Sequence, residues 1–431
     1  MRPPVFAGPM LRQRRSCSSA GSSARGASLT APATRIVPER ITKRSRIGAV
    51  YVGFYHLVGC MRTPEACART ASLRAPQRDA SGGPREQVKM TFRLAVALVF
   101  TAATLGSPHL GEGFAARAAR TLDIYFIDVE GGQSTLIVTP SGQSLLVDTG
   151  FPGHEGAFQS QPGDARQARD ANRIAAAVRD AALKRIDFLL ITHFHADHDG
   201  GAPELAALVP IRTFIDHGTV PAEAEQTSRG TLDAFQRYAA VRARARHIEP
   251  KPGDRLPLTG LVATVVSSAR ATLTSALDGA GRANASCGAP RPPQEPHENP
   301  RSTGIVLQFG RFRFIDLGDL TGPPLYALFC PSDRLGQADV YLLPHHGGLD
   351  AADPAVFGAS PPRVAVVNNG ATKGGASDMF AALRRVQGIE DVWQLHRSRN
   401  EGAQNFADDR IANLDETTSY CAHGRQQRVR R

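Results

Sequence analysis

The chain has 431 residues, of which 42% are hydrophobic and 21% are charged, as in a globular protein with a buried core. Its formal net charge is +11, but residues 1–118 hold 18 Lys/Arg against 5 Asp/Glu, whereas residues 119–431 hold 33 against 35. The basic excess therefore belongs to the N-terminal segment and does not identify the remainder as a nucleic-acid-binding surface. The sequence has no apolar run of about 18 residues, which excludes a polytopic membrane protein.

Residues 1–89 are rich in Arg, Ser, Ala, Pro and Gly and show no helical or strand period, so we expect a disordered basic extension. Residues 90–119 have the pattern of a secretory signal peptide: a basic flank at Lys89 and Arg93, the apolar run LAVALVFTAATL, and small residues around Ala116. An ordinary buried helix is the alternative for the apolar run. Because a signal peptide normally opens a chain, we favour translation from Met90, which makes residues 1–89 a mis-assigned start. We therefore expect the protein to be secreted or periplasmic.

Beyond residue 120 the pattern predicts one domain at 120–420, followed by a basic tail at 421–431. In its first half, strands are predicted at 121–129, 134–139, 144–147, 186–192 and 211–215, and helices at 166–183, 201–208 and 231–246. In its second half, strands are predicted at 260–267, 304–309, 311–317, 340–343 and 364–368, a long loop at 270–300, and helices at 376–386 and 406–414. Two successive β-rich halves with helices indicate an α/β fold.

Three of the six cysteines, Cys287, Cys330 and Cys421, lie in the predicted domain. Cys287 and Cys330 flank a predicted pair of strands and are the candidate disulfide of an exported chain. Three free thiols are the alternative, because sequence alone does not fix the pairing.

The strongest chemical signal follows the predicted strand at 186–192, where His193, His195, Asp197 and His198 fall within six residues. Imidazole nitrogens and carboxylate oxygens are the ligands that Zn²⁺ takes in proteins. His193 and His195 are two residues apart on an extended chain and point the same way, whereas Asp197 and His198 can serve a neighbouring ion. The motif predicts a site for two adjacent metals, with a chance histidine cluster on a surface loop as the alternative.

This H-x-H-x-D-H motif, with an apolar strand before it and a Gly pair after it, resembles the metallo-β-lactamase superfamily. The resemblance implies an αββα sandwich whose metal site lies at one edge between two β-sheets. It implies that Asp148 orients the metal loop, that Asp319 bridges two metals, and that the LPHHGG segment supplies the final metal histidine. We expect His345 to be that ligand and His346 to lie behind it. The implied cofactor is Zn²⁺, with two ions per chain and Mn²⁺ or Fe²⁺ as alternatives.

A finer resemblance is to the branch that includes the soluble domain of the competence protein ComEC. The FIDVEGGQS segment is similar to that branch's F-x-D-V-G-Q-G-D, with Glu130 inserted, and Asn299 with Ser302 matches its N-x-x-S. The superfamily's third metal histidine is not evident here, and Asn299 is one residue that could stand in its place. Three histidines are the other candidates: His297, His217 and His247.

The resemblance implies metal-dependent hydrolysis by a metal-bound hydroxide, with Asp197 as a ligand that can also take a proton from the nucleophile. The competence branch implies a phosphodiester, so a small or nucleotide-like substrate is the expected partner. Hydrolysis of a lactone or β-lactam, and a catalytically silent binding module of the same fold, are the alternatives. Lys373, in a Gly-rich loop after a predicted strand, either contacts an anionic substrate or is simply solvated.

Overall fold

The computed structural model describes residues 37–47, 50–60, 121–153, 168–288, 292–351 and 353–414. Two strands, β1 (Val37–Ile47) and β2 (Val50–Cys60), fall within the segment for which disorder is expected, and they form an antiparallel hairpin. Strand β2 runs parallel to the first strand of the domain, so the hairpin pairs with a sheet edge, which composition does not reveal. The rest of 1–89, the predicted signal peptide at 90–119 and the tail at 421–431 lie outside the described residues.

The first sheet contains the predicted metal motif and has the strand order β1 to β8. Its further strands are β3 (Leu122–Ile127), β4 (Thr135–Val138), β5 (Ser144–Val147), β6 (Ile186–Leu190), β7 (Ile211–Ile215) and β8 (Arg246–Ile248). Strands β3, β4 and β5 are antiparallel neighbours, whereas β5 to β8 are parallel. The carboxyl ends of β5, β6 and β7 therefore meet at one edge.

The second sheet has the order β10-β9-β11-β12-β13-β14-β15-β16 in the described part of the chain. Its strands are β9 (Val262–Ser268), β10 (Ala271–Thr272), β11 (Gly304–Phe309), β12 (Phe312–Asp316), β13 (Val340–Leu342), β14 (Val364–Val367), β15 (Asp391–His396) and β16 (Ile411–Asn413). Strands β12 to β16 are parallel, so their carboxyl ends also share an edge.

Seven α-helices accompany the sheets within the described ranges. They are α1 (Arg169–Asp180), α2 (Ala202–Leu208), α3 (Ala224–Thr227), α4 (Thr231–Arg242), α5 (Gly322–Phe329), α6 (Pro354–Gly358) and α7 (Ser377–Arg385). None of the helices that the structure describes is both long and apolar enough to cross a membrane.

Side chains alternate along the strands so that both faces of each sheet are buried. On β3, Leu122, Ile124 and Phe126 belong to the core between the sheets, and the Phe126 and Phe314 rings meet edge to face with centroids 5.8 Å apart. Tyr125 and Ile127, on the opposite face of β3, pack in a second core with α1 and α2. A third core lies between the second sheet and helices α5 to α7. The layers are therefore helix, sheet, sheet, helix, as predicted.

Several elements differ from the sequence prediction. The predicted helix at 406–414 is wrong: a single 3₁₀ turn at Asp408–Arg410 leads into β16, whose backbone pairs with the unpredicted strand β15. Helix α5 was not predicted, since its opening Gly-Pro-Pro is typical of a turn, yet proline is favourable in the first helical turn. The predicted helix at 231–246 ends at Arg242, and its last residue already belongs to β8.

Candidate metal centre

Side chains that follow three buried strands converge where the edges of the two sheets meet. The chain after β6 supplies His193, His195, Asp197 and His198, the chain after β12 supplies Asp319, and the chain after β13 supplies His346. Their candidate ligand atoms form two groups, each with all atoms within 4.8 Å of one another. Both groups contain Asp319, so the structure joins them through one carboxylate.

The first group consists of His193, His195 and Asp319. The Nε2 atom of His193 lies 2.9 Å from Nδ1 of His195 and 3.8 Å from Oδ2 of Asp319. Burial and the neighbouring imidazoles lower the pKa of His193 well below its usual range. His193 is therefore neutral at physiological pH, the state in which imidazole binds a metal.

The second group consists of Asp197, His198, Asp319 and His346, all buried. The Nε2 atom of His198 lies 3.3 Å from Oδ2 of Asp197 and 3.2 Å from Oδ2 of Asp319. The Nε2 atom of His346 lies 3.1 Å and 3.2 Å from the same two oxygens. Two imidazoles and two carboxylates thus face one small volume, the donor set of a divalent transition metal.

The structure separates the two histidines that follow β13, of which the sequence analysis expects His345 to bind metal. His346, and not His345, belongs to the four-residue group, whereas Nε2 of His345 is 3.9 Å from Oδ2 of Asp319. The Nδ1 atom of His345 is 2.6 Å from Oδ2 of Asp350, and its side chain is 32% exposed. Both histidines have positive φ, 50° and 55°, so strand alternation does not give their directions. The backbone turn therefore decides which of the two rings faces the four-residue group.

The predicted role of Asp148 agrees with its position behind the metal loop. Its Oδ2 atom is 2.7 Å from Nδ1 of His198, and its Oδ1 atom accepts the backbone N–H of Thr192 at 2.7 Å. A carboxylate on Nδ1 fixes the ring and directs Nε2 toward the second group. Burial alone would lower the pKa of His198, but the three surrounding carboxylates raise it well above its usual range. A bound cation would replace that proton.

One unpartnered oxygen of the centre also fits a cation. The Oδ1 atom of Asp319 is buried and has no hydrogen-bond partner among the described residues. Buried carboxylate oxygens normally accept hydrogen bonds or coordinate metals. The Nε2 atoms of His198 and His346 lie 3.3 Å apart beside this carboxylate, and this set of donor atoms suits a divalent ion.

None of the three other candidate histidines joins either group. His217 contacts Oε2 of buried Glu298 at 2.9 Å, His247 contacts Oδ1 of Asp216 at 2.9 Å, and His297 pairs with Glu295. The Nδ2 atom of Asn299 instead lies 3.3 Å from Nε2 of His345, beside the first group. Asn299, the alternative candidate, therefore contacts a histidine that lies near Asp319.

A separate buried cluster was not predicted as a unit. Asp128, Glu130 and His396 lie together, with Nε2 of His396 3.1 Å from Oε2 of Glu130. Two other donors already occupy it: Arg173 contacts Glu130 at 3.0 Å, and Nδ2 of Asn413 donates to Asp128 at 3.0 Å. This cluster is an ion-pair network that joins the end of β3 to β15 and β16. The only sequence signal was the inserted Glu130.

The predicted disulfide is present, with the Sγ atoms of Cys287 and Cys330 2.07 Å apart. It ties the segment before Glu298 and Asn299 to the end of α5. Cys421 lies outside the described residues.

Part of the chain matches a known family model. Residues 127–274, which include the metal motif, match the family model of the metallo-beta-lactamase superfamily. No curated protein matches the sequence.

Three solved structures are similar to the chain at low sequence identity. A candidate metal-dependent hydrolase from Parabacteroides distasonis is 18% identical, with 63% of this chain and 92% of that one covered and a TM-score of 0.34. The metallo-beta-lactamase fold protein YhfI from Bacillus subtilis is 11% identical, with coverages of 61% and 88% and a TM-score of 0.35. The diiron beta-hydroxylase CmlA from Streptomyces venezuelae is 14% identical, with coverages of 60% and 46% and a TM-score of 0.31.

The family match covers strands β4 to β8 of the first sheet, the metal motif, and strands β9 and β10 of the second sheet. The later part of the second sheet supplies Asp319 and His346 to the same centre. With two sheets packed face to face between helical layers, the chain has the metallo-β-lactamase fold.

Proposed function

We propose that the protein is an exported metal-dependent hydrolase that acts on phosphodiesters. The observation that carries the proposal is the shared carboxylate: Asp319 belongs both to the His193–His195 group and to the group with Asp197, His198 and His346. A carboxylate common to two adjacent ligand groups is the arrangement that holds two cations side by side.

Each of the two ligand groups would hold one ion. His193, His195 and Asp319 would hold one ion, and Asp197, His198, His346 and Asp319 would hold the other. Bound divalent cations supply Lewis acidity, which makes a water molecule acidic and neutralises charge that develops on the scissile group. Asp148 keeps Nε2 of His198 directed into the centre.

His345 is proposed to act at the mouth of the centre instead of as a ligand. Its Nδ1 atom contacts Asp350 at 2.6 Å, and its Nε2 atom faces Asn299 at 3.3 Å. A carboxylate on Nδ1 fixes the tautomer and allows Nε2 to hold or move a proton. The side chain is partly exposed, so a substrate can reach it.

The phosphodiester part of the proposal is supported by the resemblance of the FIDVEGGQS and HHGG segments to the competence branch. Export is supported by the signal-peptide pattern at 90–119 and by the Cys287–Cys330 disulfide, since disulfides persist in oxidising compartments. Mass spectrometry of the natural protein should find an N-terminus near residue 119. A mature chain that retains residues 1–89 would contradict export through this signal.

The hydrolase proposal is tested by metal analysis and a substrate panel. We expect about two metal ions per chain and hydrolysis of bis(p-nitrophenyl) phosphate, with lactones and β-lactams as the competing substrates. Asp319→Asn should lower both metal content and turnover, the latter by more than about a hundredfold. Asp339→Asn is the matched control. Asp339 forms an ion pair with Arg363, with 2.9 Å between the two charged groups, and belongs to neither ligand group.

Three outcomes would contradict the proposal. Less than about one ion per chain without hydrolysis would favour a silent binding module. Turnover of lactones or β-lactams alone would replace the phosphodiester assignment. Full activity in Asp319→Asn would refute the metal centre itself.

A further inference from the structure

Lys373 lies at the edge of the metal centre, in the loop between β14 and α7. Its Nζ atom donates to Oδ2 of Asp197 and, at 2.9 Å, to the carbonyl oxygen of Gly131. The same atom lies 5.9 Å from the centre of the Phe151 ring. The Lys373 side chain is 41% exposed, so its ammonium group touches both a proposed metal ligand and solvent.

The loop around Lys373 is fixed by the turn that places His346. The backbone N–H of Gly375 donates to the carbonyl oxygen of His346 at 2.8 Å, and a Cβ atom on Gly374 would lie 2.3 Å from that oxygen. On the other side, the N–H of Gly370 donates to the carbonyl oxygen of Lys373 at 2.8 Å. The position of the lysine backbone is thus coupled to the metal centre, unlike that of a lysine on an independent surface loop.

The hydrogen-bond count leaves the ammonium group of Lys373 with capacity for a ligand. It has three donors, of which the Gly131 carbonyl takes one. The Asp197 oxygen that it contacts is also 3.3 Å from Nε2 of His198 and 3.1 Å from Nε2 of His346, so a cation in this group takes the same oxygen. The ammonium group of Lys373 would then keep at least one N–H donor that can bind a ligand from the solvent side.

The charge balance of the surrounding chain makes a local cation such as Lys373 important for binding an anion. Residues 119–431 contain 33 Lys/Arg and 35 Asp/Glu, and Lys373 is one of three lysines there, with Lys184 and Lys251. A nearly neutral protein body provides little general attraction for an anion, so recognition depends on local groups.

We propose that Lys373 binds an anionic oxygen of the substrate and makes the centre selective for substrates with a negatively charged group next to the scissile bond. The proposal rests on the proposed hydrolase function and names the residue that would recognise the negative charge of its substrate. The competing role is a structural one, in which Lys373 only holds Asp197 in place. The two roles differ in what they predict for metal and anion binding.

The test is calorimetric titration of inorganic phosphate into the full chain loaded with Zn²⁺, with metal content measured for every variant. Lys373→Met should keep the wild-type metal content, because it removes a competitor for the Asp197 oxygen, and should weaken phosphate binding by about tenfold to a hundredfold. Lys373→Arg should restore part of that affinity. Lys251→Met is the matched control and should bind phosphate as the wild type does, since Lys251 lies in an exposed loop.

Steady-state kinetics give a second readout. Lys373→Met should raise KM for bis(p-nitrophenyl) phosphate by a larger factor than it lowers kcat, because the lost contact is present before the chemical step.

Unchanged phosphate affinity in Lys373→Met at full metal content would overturn the inference and leave the hydrolase proposal intact. Loss of metal in Lys373→Met would also overturn it, in favour of the structural role. Wild-type protein that takes up no metal would overturn the hydrolase proposal and this inference with it.

Discussion

Asp316, the last residue of β12, is a buried carboxyl group whose charge is poorly compensated. Its Oδ1 atom accepts Nε2 of Gln133 at 2.9 Å and the N–H of Gly318 at 3.1 Å, whereas its Oδ2 atom has no partner among the described residues. Burial raises the pKa of Asp316 from 3.8 to about 7, and nearby Asp148 adds to the effect. The charged form therefore destabilises the folded state.

The magnitude follows from proton linkage. Between about pH 4 and pH 7 the folded chain binds more protons at Asp316 than the unfolded chain, so this group makes stability fall as the pH rises through that window. A shift of about three units at about 1.4 kcal/mol each costs about 4 kcal/mol once both states are ionised. About 2.5 kcal/mol of that cost appears between pH 5 and pH 8.

The substitution Asp316→Asn keeps the acceptor for Gln133 and Gly318 and removes the titration. Urea unfolding of metal-free wild type and variant at pH 5 and pH 8 should show that the variant's advantage grows by about 2.5 kcal/mol over that interval. Parallel pH profiles for the two proteins would refute this account of Asp316.

Three other changes test the remaining features. Asp148→Asn should weaken metal binding by about tenfold to a hundredfold, because His198 loses its orienting carboxylate. Metal titration measures the affinity and circular dichroism checks that the fold is retained. Unchanged affinity would contradict the role of Asp148. His346→Ala should lose metal from the second group, whereas His345→Ala should retain it. Equal metal loss in the two variants would contradict the assignment of His346, and not His345, to this group. Replacing Cys287 and Cys330 with serine should lower the free energy of unfolding by about 2–4 kcal/mol, and a variant as stable as wild type would show that the crosslink does not stabilise the fold.

The sequence predicts those parts of the fold and centre that depend on local pattern. The first four candidate ligands lie in one short motif after a buried strand, and the fifth, Asp319, follows another strand in a recognisable segment. The two β-rich halves could be predicted because side-chain alternation and apolar runs are local.

What the sequence could not predict depends on backbone turns and long-range pairing. The choice between His345 and His346 depends on two consecutive residues with positive φ, which no residue pattern there specifies. Strand β16 has only three residues, too few for a recognisable alternation, and it is a strand because β15 pairs with it. The contact of Lys373 with Asp197 joins positions 176 residues apart.

The centre takes four side chains from the first sheet's loop and Asp319 and His346 from the second sheet. An ion held there would be a crosslink between the two halves of the domain, formed only after both have folded and docked. By mass action, its binding energy would be added to the stability of the assembled sandwich and not to either half alone. The supply of metal in the surroundings would then set how long the folded chain resists proteolysis, as well as whether it can act.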